Sequence, residues 1–303
     1  MNSQLNNQPL VSIIMNCYNG ETYLKESIRS VLSQSYKNWE LIFWDNKSED
    51  KSEEIFKGFQ DKRLKYFCSN SHTSLYKARN LAIEKSKGEF ISFLDVDDLW
   101  DPNKLEIQMP YFNNSEVGLV YSNLWILNKE IKKKKIHTNK KLPNGKIYDE
   151  LIKNYNIGII TTVIRKSFYL MLKKKFDERF SLIGDFDLFL RLSKTCRFES
   201  IQTPLAFYRL HGKNISTLNK EKEIEEFKIW LKENKSNLSE FHVKRIQNKI
   251  NYRKFVNCRM EGNYKECIKM FLNLEIKLLN IKNLIIFFTP PILLKKFLWY
   301  HQD

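Results

Sequence analysis

The sequence predicts an α/β domain with a mostly parallel sheet, followed by an α-helical extension. Up to about residue 100, short apolar runs alternate with segments whose apolar residues recur at helical spacing, an order typical of parallel α/β folds. After about residue 216 the composition changes to long amphipathic segments rich in Lys and Glu. We therefore expect one domain over residues 1–215 and a helical extension over residues 216–303.

The first third of the chain carries the clearest elements. The predicted strands are Leu10–Met15, Trp39–Trp44, Leu64–Phe67 and Phe90–Leu94, and the predicted helices are Thr22–Leu32, residues 50–60 and Leu75–Lys85. Polar loops follow three of these strands, at Asn16–Asn19, Asp45–Ser48 and Asp95–Asp98. Ligands of parallel α/β sheets bind at the carboxyl ends of the strands. These loops are therefore the first candidates for a binding site.

The middle of the chain is less regular. Residues 118–127 and 161–165 are predicted strands, and residues 185–193 a helix. Between them, residues 129–141 contain seven lysines. Since a charge run is usually a solvated face, we interpret this segment as an exposed hairpin in preference to a specific binding patch.

Composition narrows the possible protein classes. The 303 residues include 51 Lys and Arg against 35 Asp and Glu, a formal net charge of +16. That charge suits nucleic acid, an anionic membrane or a phosphorylated substrate, and a chain-wide Lys-rich composition explains it equally well. The five cysteines are scattered without a C-x-x-C pair, which favours a reducing compartment and no structural zinc. With neither a signal-peptide pattern nor a long apolar run, we expect a cytoplasmic location.

The segment Asp95-Val-Asp-Asp98 is the first chemical motif. It follows the predicted strand Phe90–Leu94, and from strand alternation we expect Asp95 and Asp97 on one side. Two converging carboxylates repel each other unless a cation neutralises them, and oxygen ligands suit Mg²⁺ or Mn²⁺. The alternative is helix capping by Asp98 or Asp101 ahead of Pro102.

Five stretches together resemble the family 2 glycosyltransferases, which are inverting enzymes with a GT-A fold. The resemblance is nearly continuous over residues 10–105. The first three stretches are Val11–Asn19, Ser30–Asp50 and Ala78–Pro102, and within the third the matching pieces are Ala78-Arg-Asn and Gly88–Pro102. The last two are Gly184-Asp-Phe-Asp-Leu-Phe-Leu-Arg191 and Tyr208-Arg-Leu-His-Gly-Lys-Asn-Ile-Ser216. They follow the family's order over about two-thirds of the chain. The resemblance implies a Rossmann-like sheet with flanking helices that binds a nucleotide sugar.

The resemblance also implies a donor-binding site. Tyr18 would lie beside the nucleobase, Asp45 would accept from a base N–H, and Arg79 would reach the nucleotide. The alternatives are a rim aromatic for Tyr18 and a helix-surface cation for Arg79. The remaining donor-binding residues it implies are Asn16, Ser48, Asp95 and His211. Asn46 stands where the family more often has a second Asp, so the identity of the base stays open.

For the cofactor, the resemblance implies Mn²⁺ or Mg²⁺. Asp97 would be the direct ligand, and Asp95 would bind the ribose or the water shell of the metal. His211 would contact the diphosphate or the metal, since imidazole can either ligate or donate.

For the catalytic base, the resemblance points to the helix that begins near Gly184. The family usually has an acidic pair here, and this chain has Gly184 and Asp185. We expect Asp185 to be the base and keep Asp187 as the alternative. A helix-capping role for Asp185 is compatible with either choice.

The function that follows is metal-dependent, inverting transfer of a sugar from a nucleoside diphosphate donor. A UDP-sugar is the expected donor, and a glycan or lipid-linked saccharide of a polysaccharide or lipopolysaccharide pathway is the expected acceptor. A noncatalytic nucleotide-sugar-binding protein of the same fold remains an alternative because of Gly184. A basic nucleic-acid-binding protein is disfavoured, because zinc ligands and an aromatic RNA-binding motif are missing. A nicotinamide-dependent dehydrogenase is disfavoured too, because the turn after the first strand lacks G-x-G-x-x-G.

The tail from Leu278 is apolar, basic and interrupted by Pro290 and Pro291. Its apolar side chains and the pair Lys295 and Lys296 suit an anionic membrane surface. They suit a packed terminal helix equally well. We therefore expect a protein that is cytoplasmic and, if the tail is an anchor, peripheral on the inner face of the membrane.

Overall fold

The computed structural model describes residues 8–128, 132–272 and 288–290, which form nine strands and eleven α-helices. The strands are β1 (Val11–Cys17), β2 (Trp39–Asp45), β3 (Leu64–Cys68), β4 (Phe90–Phe93), β5 (Leu99–Trp100), β6 (Val117–Asn128), β7 (Lys133–Ile136), β8 (Val163–Arg165) and β9 (Arg197–Leu210). The helices are α1 (Glu21–Leu32), α2 (Ser52–Lys57), α3 (Leu75–Glu84), α4 (Lys104–Gln108), α5 (Tyr148–Lys153), α6 (Lys166–Met171), α7 (Gly184–Ser193), α8 (Ile215–Leu218), α9 (Lys220–Asn234), α10 (Glu240–Glu261) and α11 (Tyr264–Leu272).

One sheet organises the first part of the chain. Its strand order is β3-β2-β1-β4-β8-β6-β9-β5, and β7 pairs with β6. The first four strands are parallel, as predicted. Beyond β4 the sheet is mixed, because β8 is antiparallel to both β4 and β6, whereas β6 and β9 are parallel to each other. The predicted α/β sheet with flanking helices is confirmed.

The central strands are buried on both faces. All seven residues of β2 are buried, and β1 is buried except at Asn16. Strands covered by helices on both sides read as continuous apolar runs, which is why these two were evident in the sequence. The sheet core is therefore rigid, and the loops at its edge are held on a fixed frame.

Some predicted boundaries differ from the observed ones. The helix expected over residues 50–60 is limited to α2, and just before it Asp50 Oδ1 accepts the backbone N–H of Ser52 at 3.0 Å. The strand expected over residues 161–165 is limited to β8, because residues 159–161 form a 3-10 turn. In the lysine-rich segment, β7 pairs antiparallel with the end of β6.

The chain divides into two compact units, Met1–Gly212 and Lys213–Asp303. The second unit contains α8 to α11. In it, Arg253 of α10 forms an ion pair of 2.8 Å with Glu223 of α9. Among the described residues, no helix is both long and apolar enough to cross a membrane. Of the tail from Leu278, only residues 288–290 are described, so the predicted anchor or terminal helix lies outside the described residues.

Candidate active site

The carboxyl ends of β1, β2 and β4 meet at one edge of the sheet. β1 lies between β2 and β4. The chain therefore runs from β1 to β2 and β3 on one side, and then returns to the other side of β1 to form β4. Such a change of direction leaves a crevice at the carboxyl ends of the strands. Tyr18 follows β1, Asp45 ends β2 and Asp95 follows β4. The topology therefore brings the predicted donor-binding loops to one place.

Asp45 is buried at the end of β2, and each of its carboxylate oxygens has a partner. Oδ1 accepts from the backbone N–H of Ser48 at 2.7 Å, and Oδ2 accepts from the hydroxyl of Tyr66 at 2.8 Å. Burial and the charge of Asp45 raise the pKa of Tyr66, so the phenol stays a donor. A carboxylate has about four acceptor positions, which leaves capacity for a base N–H. Tyr66 lies in an ordinary strand, and no motif marks it.

Ser48 and Asn16 differ in their hydrogen bonding at this edge of the sheet. The Ser48 Oγ accepts from the backbone N–H of Asn19 at 3.0 Å, so it fixes the β1 loop to the β2 loop. Asn19 has a φ of +54°, a left-handed conformation that asparagine tolerates well. The Asn16 side-chain Nδ2 is buried with no partner among the described residues. An unpaired buried donor is unfavourable, and a polar ligand would satisfy it.

Tyr18 lies against a residue that sequence reasoning did not select, His72. Tyr18 is 49% exposed, and its ring centroid is 4.1 Å from that of His72 with the planes tilted by 46°. Asn46 holds the same loop, because its Oδ1 accepts the hydroxyl of Thr73 at 2.9 Å and its Nδ2 donates to the carbonyl of Thr73 at 2.8 Å. An ionised Asp can only accept. Asn46 therefore supplies one bond to the loop that presents His72, the donation from Nδ2 to the Thr73 carbonyl, which an ionised Asp could not make.

Arg79 and Asp95 form an ion pair in which Arg79 is buried and Asp95 is partly exposed. An Arg79 guanidinium nitrogen lies 2.7 Å from Asp95 Oδ1, with 4% of the Arg79 side chain and 35% of the Asp95 side chain exposed. Burial disfavours the charge of Arg79, but Asp95, Tyr76 and Asp185 outweigh it and raise the pKa of Arg79. Arg79 is therefore buried beneath the site and not on the helix surface. Through this ion pair, the Arg79 side chain orients the Asp95 carboxylate.

Asp97 and His211 come together although 114 positions separate them in the sequence. The His211 Nε2 lies 3.0 Å from Asp97 Oδ2. β4 ends at Phe93, and the backbone N–H of Asp98 bonds to the carbonyl of Asp95 at 3.1 Å. Strand alternation therefore does not extend to Asp95 and Asp97, which lie in a turn. This turn, and not strand alternation, places Asp95 and Asp97 close to each other.

Asp98 links this turn to β9, the strand that leads to His211. Its Oδ1 accepts the backbone N–H of Arg209 at 2.7 Å. Asp98 therefore does not cap a helix. Burial and the charges of Asp97 and Asp95 raise its pKa well above the usual range. The bond to Arg209 sets the position from which His211 reaches Asp97.

The residues present fit a divalent cation. Burial and the charge of Asp95 raise the pKa of Asp97, against the effect of His211, and a cation would relieve this repulsion. Among the described residues, no group of three His, Cys, Asp or Glu is placed to enclose a metal. Further ligands would come from a diphosphate and from water, as is usual for Mg²⁺. Mn²⁺ or Mg²⁺ at Asp97, His211 and Asp95 stays a prediction.

Asp185 lies in the first turn of α7 and is surrounded by donors. Its Oδ1 accepts from the hydroxyl of Tyr76 at 3.3 Å and from the N–H of Phe186 at 2.9 Å. Its Oδ2 accepts from the hydroxyl of Tyr155 at 3.0 Å. Burial raises the pKa of Asp185, whereas Arg79 and these hydrogen bonds lower it, and the net shift is upward. A raised pKa suits a carboxylate that takes up a proton.

Asp187 is engaged elsewhere. It is buried, and its Oδ2 accepts from Arg191 at 2.7 and 3.0 Å. Residues two positions apart on a helix do not share a face, so Asp187 does not lie beside Asp185. Arg191 in turn donates to the carbonyl of Lys175 at 2.8 Å. This geometry suits a structural role for Asp187.

Comparison with known proteins decides the family. The model for the family described as glycosyl transferase family 2 matches residues 12–180. The chain belongs to this family. The resemblance noted from the sequence is confirmed, and the protein is a glycosyltransferase.

Two relatives with a named activity come from Escherichia coli. WfgD, named as a UDP-Glc:α-D-GlcNAc-diphosphoundecaprenol β-1,3-glucosyltransferase, is 35% identical over 217 residues, which are 71% of this chain and 82% of WfgD. WfaP, named for the same activity, is 30% identical over 216 residues, with 71% of this chain and 82% of WfaP covered. The relatives of this glycosyltransferase thus include enzymes named for glucosyl transfer to a GlcNAc-diphosphoundecaprenol acceptor.

Solved structures share the fold. The crystal structure of S. aureus TarS 1–349 matches with a TM-score of 0.64 and 18% identity over 91% of this chain and 78% of that one. A second crystal structure of S. aureus TarS matches with a TM-score of 0.60 and 18% identity over 81% of this chain and 43% of that one. The mannosyltransferase PcManGT from Pyrobaculum calidifontis, solved with GDP-Man and Mn²⁺, matches with a TM-score of 0.56 and 14% identity over 75% and 65% of the two chains. The GT-A fold prediction is confirmed.

Proposed function

We propose that this glycosyltransferase transfers a sugar, with inversion, from a UDP-sugar to a hydroxyl of a glycan or lipid-linked saccharide. The observation that carries the proposal is the arrangement around Arg79, which binds Asp95 on the donor side and lowers the pKa of Asp185 on the other. The buried guanidinium of Arg79 thus acts on both the predicted donor site and the predicted base. The WfgD name supplies the substrate class, a UDP-sugar and a diphosphate-linked lipid acceptor.

In the proposed reaction, Asp185 removes the proton of the acceptor hydroxyl. Among the described residues, Oδ1 accepts two hydrogen bonds and Oδ2 accepts one, so we assign the proton to Oδ2. The acceptor oxygen then forms a bond to the anomeric carbon as the bond from that carbon to the diphosphate breaks. The electron pair of the broken bond leaves with the nucleoside diphosphate. A single displacement of this kind inverts the anomeric configuration.

The donor end has a separate task. Asp45 would accept from the base, and Tyr18 would provide a stacking surface beside it. Mn²⁺ or Mg²⁺ held by Asp97 and His211, with Asp95 nearby, would stabilise the charge that develops on the departing diphosphate. Asp95 is held in place by Arg79, so its free oxygen is available to the ribose or to metal-bound water.

A cytoplasmic location is part of the proposal. All five cysteines are free thiols, which suits a reducing compartment. A diphosphate-linked lipid acceptor would place the enzyme at the inner face of the membrane. The basic tail is the candidate contact with anionic lipid.

The test is a transfer assay with a base variant. UDP-glucose, UDP-GlcNAc and UDP-galactose are each incubated with Mn²⁺ and a synthetic GlcNAc-diphospholipid, and UDP release and product anomer are measured. We expect transfer with inversion from one donor, and a fall of about 10²-fold or more for Asp185→Asn with donor binding kept. Asp187→Asn is the matched control and should retain turnover. Donor binding without transfer from any of these donors would favour the noncatalytic alternative, and a retained anomer would overturn the single displacement.

A further inference from the structure

Two tyrosines from separate elements hold the carboxylate of Asp185. Tyr76 of α3 is buried, and its hydroxyl donates to Asp185 Oδ1 at 3.3 Å and accepts the backbone N–H of Asp185 at 3.2 Å. Tyr155 follows α5, and its hydroxyl donates to Asp185 Oδ2 at 3.0 Å. Each oxygen therefore has its own phenol. The carboxylate plane is fixed by groups more than 25 positions away in the sequence.

Gly184 makes room for the first of these tyrosines. A Cβ added at Gly184 would lie 2.5 to 2.7 Å from three ring carbons of Tyr76, closer than side-chain carbons approach one another. The Tyr76 ring is fixed in place, since it stacks on Phe176 at a centroid distance of 5.1 Å. An acidic residue at position 184 and Tyr76 in this position are therefore mutually exclusive. The absence of an acidic residue at position 184 is thus linked to the presence of Tyr76 beside it.

The Tyr155 phenol remains a donor when Asp185 is ionised. Burial and the charge of Asp185 raise the pKa of Tyr155 well above its ordinary value. The other charged group that acts on Asp185 is Arg79, on the same helix as Tyr76. Arg79 attracts the negative charge, and the two phenols add hydrogen bonds with a defined direction.

We propose that Tyr76 and Tyr155 are positioning residues that orient the Asp185 carboxylate and set the pH range in which it accepts a proton. The inference rests on the proposed role of Asp185 as the base. The hydroxyls of both tyrosines bond to Asp185, whereas Tyr76 faces the Arg79 guanidinium through its ring, at 5.2 Å from the centroid, and a Phe substitution removes only the hydroxyls. Their loss should therefore change the rate of transfer and its pH dependence, and leave donor affinity unchanged.

The expected direction follows from the hydrogen bonds. A phenol that donates to the carboxylate stabilises the ionised form and lowers the pKa of Asp185. Tyr155→Phe and Tyr76→Phe remove this stabilisation and keep the rings, so the pKa of Asp185 rises further. Since the base acts ionised, the acidic limb of the rate profile moves to higher pH. On the plateau, kcat falls roughly 10- to 100-fold because the carboxylate is less well oriented.

The experiment measures kcat, donor KM and the pH profile for both variants and for Tyr121→Phe. Tyr121 is a matched control, because it is fully buried and its hydroxyl donates to the carbonyl of Pro143 and not to a carboxylate. We expect a shifted limb and lower kcat with unchanged donor KM for Tyr155→Phe and Tyr76→Phe, and no change for Tyr121→Phe. A general loss of packing would instead raise donor KM and lower the melting temperature.

A second measurement does not depend on turnover. Carboxyl ¹³C NMR of aspartate-labelled protein, with the Asp185 signal assigned from Asp185→Asn, reports its titration directly. If the midpoint and the limb stay in place in both Phe variants while Asp185→Asn is inactive, the positioning role is wrong and the proposed function stands. If Asp185→Asn keeps full turnover, the proposed base is wrong, and the positioning inference falls with it.

Discussion

The Nε2 of His211 lies 3.0 Å from Oδ2 of Asp97, although 114 residues separate them in the sequence. The contact depends on β9, which is bonded to the Asp98 carboxylate through the N–H of Arg209 at 2.7 Å. The ring of Tyr23 on α1 also lies 5.0 Å from the His211 ring. His211 is therefore supported from two sides, and its Nε2 is directed to Asp97.

The first prediction concerns this pair. Asp97→Ala and His211→Ala should each lower Mn²⁺-dependent turnover by about 10²-fold, because charge on the leaving diphosphate would lose its stabilisation. The melting temperature should stay near that of the parent, since the Asp97 side chain is partly exposed. Glu53→Ala, which removes an exposed carboxylate of α2 paired with Lys57, is the control. Asp97→Ala with an unaltered Mn²⁺ titration of activity would falsify the metal assignment.

Local signals predicted the frame of the site, and long-range contacts supplied the rest. The runs that became β1, β2 and β4 were evident because strands buried on both faces are continuously apolar. His211 was found because it follows Tyr208-Arg-Leu, a motif with its own sequence pattern. His72 and Tyr155 were missed because their roles depend on contacts to Tyr18 and Asp185, and nothing in their neighbouring residues encodes those contacts.

The helical boundaries show the same limit. Helical periodicity suggested residues 50–60, whereas the observed α2 is shorter. The N–H of its first residue, Ser52, bonds to the side chain of Asp50, which also accepts the N–H of Glu21 at 2.9 Å at the start of α1. A carboxylate that bonds to the first residues of two helices makes a tertiary contact. Periodicity alone therefore could not locate it.

The second prediction concerns nucleobase binding. Tyr18→Ala should weaken donor binding about 10-fold or more, since stacking of a base on an aromatic ring contributes about 1–3 kcal/mol. His72→Ala should weaken it in the same direction, because the Tyr18 ring would lose the neighbour that supports it at 4.1 Å. Calorimetry with UDP measures both effects. Tyr111→Ala, an exposed tyrosine on another element, should bind UDP like the parent, and equal affinity for all three variants would contradict the stacking role.

The third prediction concerns Gly184. Gly184→Ala places a methyl group within 2.7 Å of the Tyr76 ring, and such overpacking costs about 1–3 kcal/mol in the free energy of unfolding. Turnover should fall as well, because Tyr76 must move away from Asp185. Gly145→Ala is not a suitable control, since Gly145 has a φ of +93°, whereas Gly58→Ala meets only ordinary contacts of 3.4 Å or more. Denaturant unfolding of the two variants should separate them clearly, and equal stability would contradict the steric argument.

The last prediction concerns acid stability and Asp177, in the segment that leads to α7. Asp177 is buried, and its carboxylate accepts from Arg179 at 2.7 and 3.0 Å and from Lys174. Burial alone would raise its pKa, but Arg179 and Lys174 outweigh it and hold the pKa of Asp177 well below its usual range. A folded-state pKa below the unfolded value stabilises the protein above the unfolded pKa, about 3.9 for Asp. That stabilisation is lost as the pH falls from there through the folded pKa.

Asp61 provides a matched control for this carboxylate. It accepts from Arg63, also two residues on, at 2.7 and 3.0 Å, but 21% of its side chain is exposed against 4% for Asp177. At pH 7, Asp177→Asn should lose about 2 kcal/mol in the free energy of unfolding, and Asp61→Asn should lose less because solvent screens its pair. Urea unfolding at pH 7, 4 and 3 measures both. The difference between Asp177→Asn and the parent should narrow at pH 3, because there the parent has lost part of the same contribution, and a constant difference would show that Asp177 stabilises the fold by packing and not by its charge.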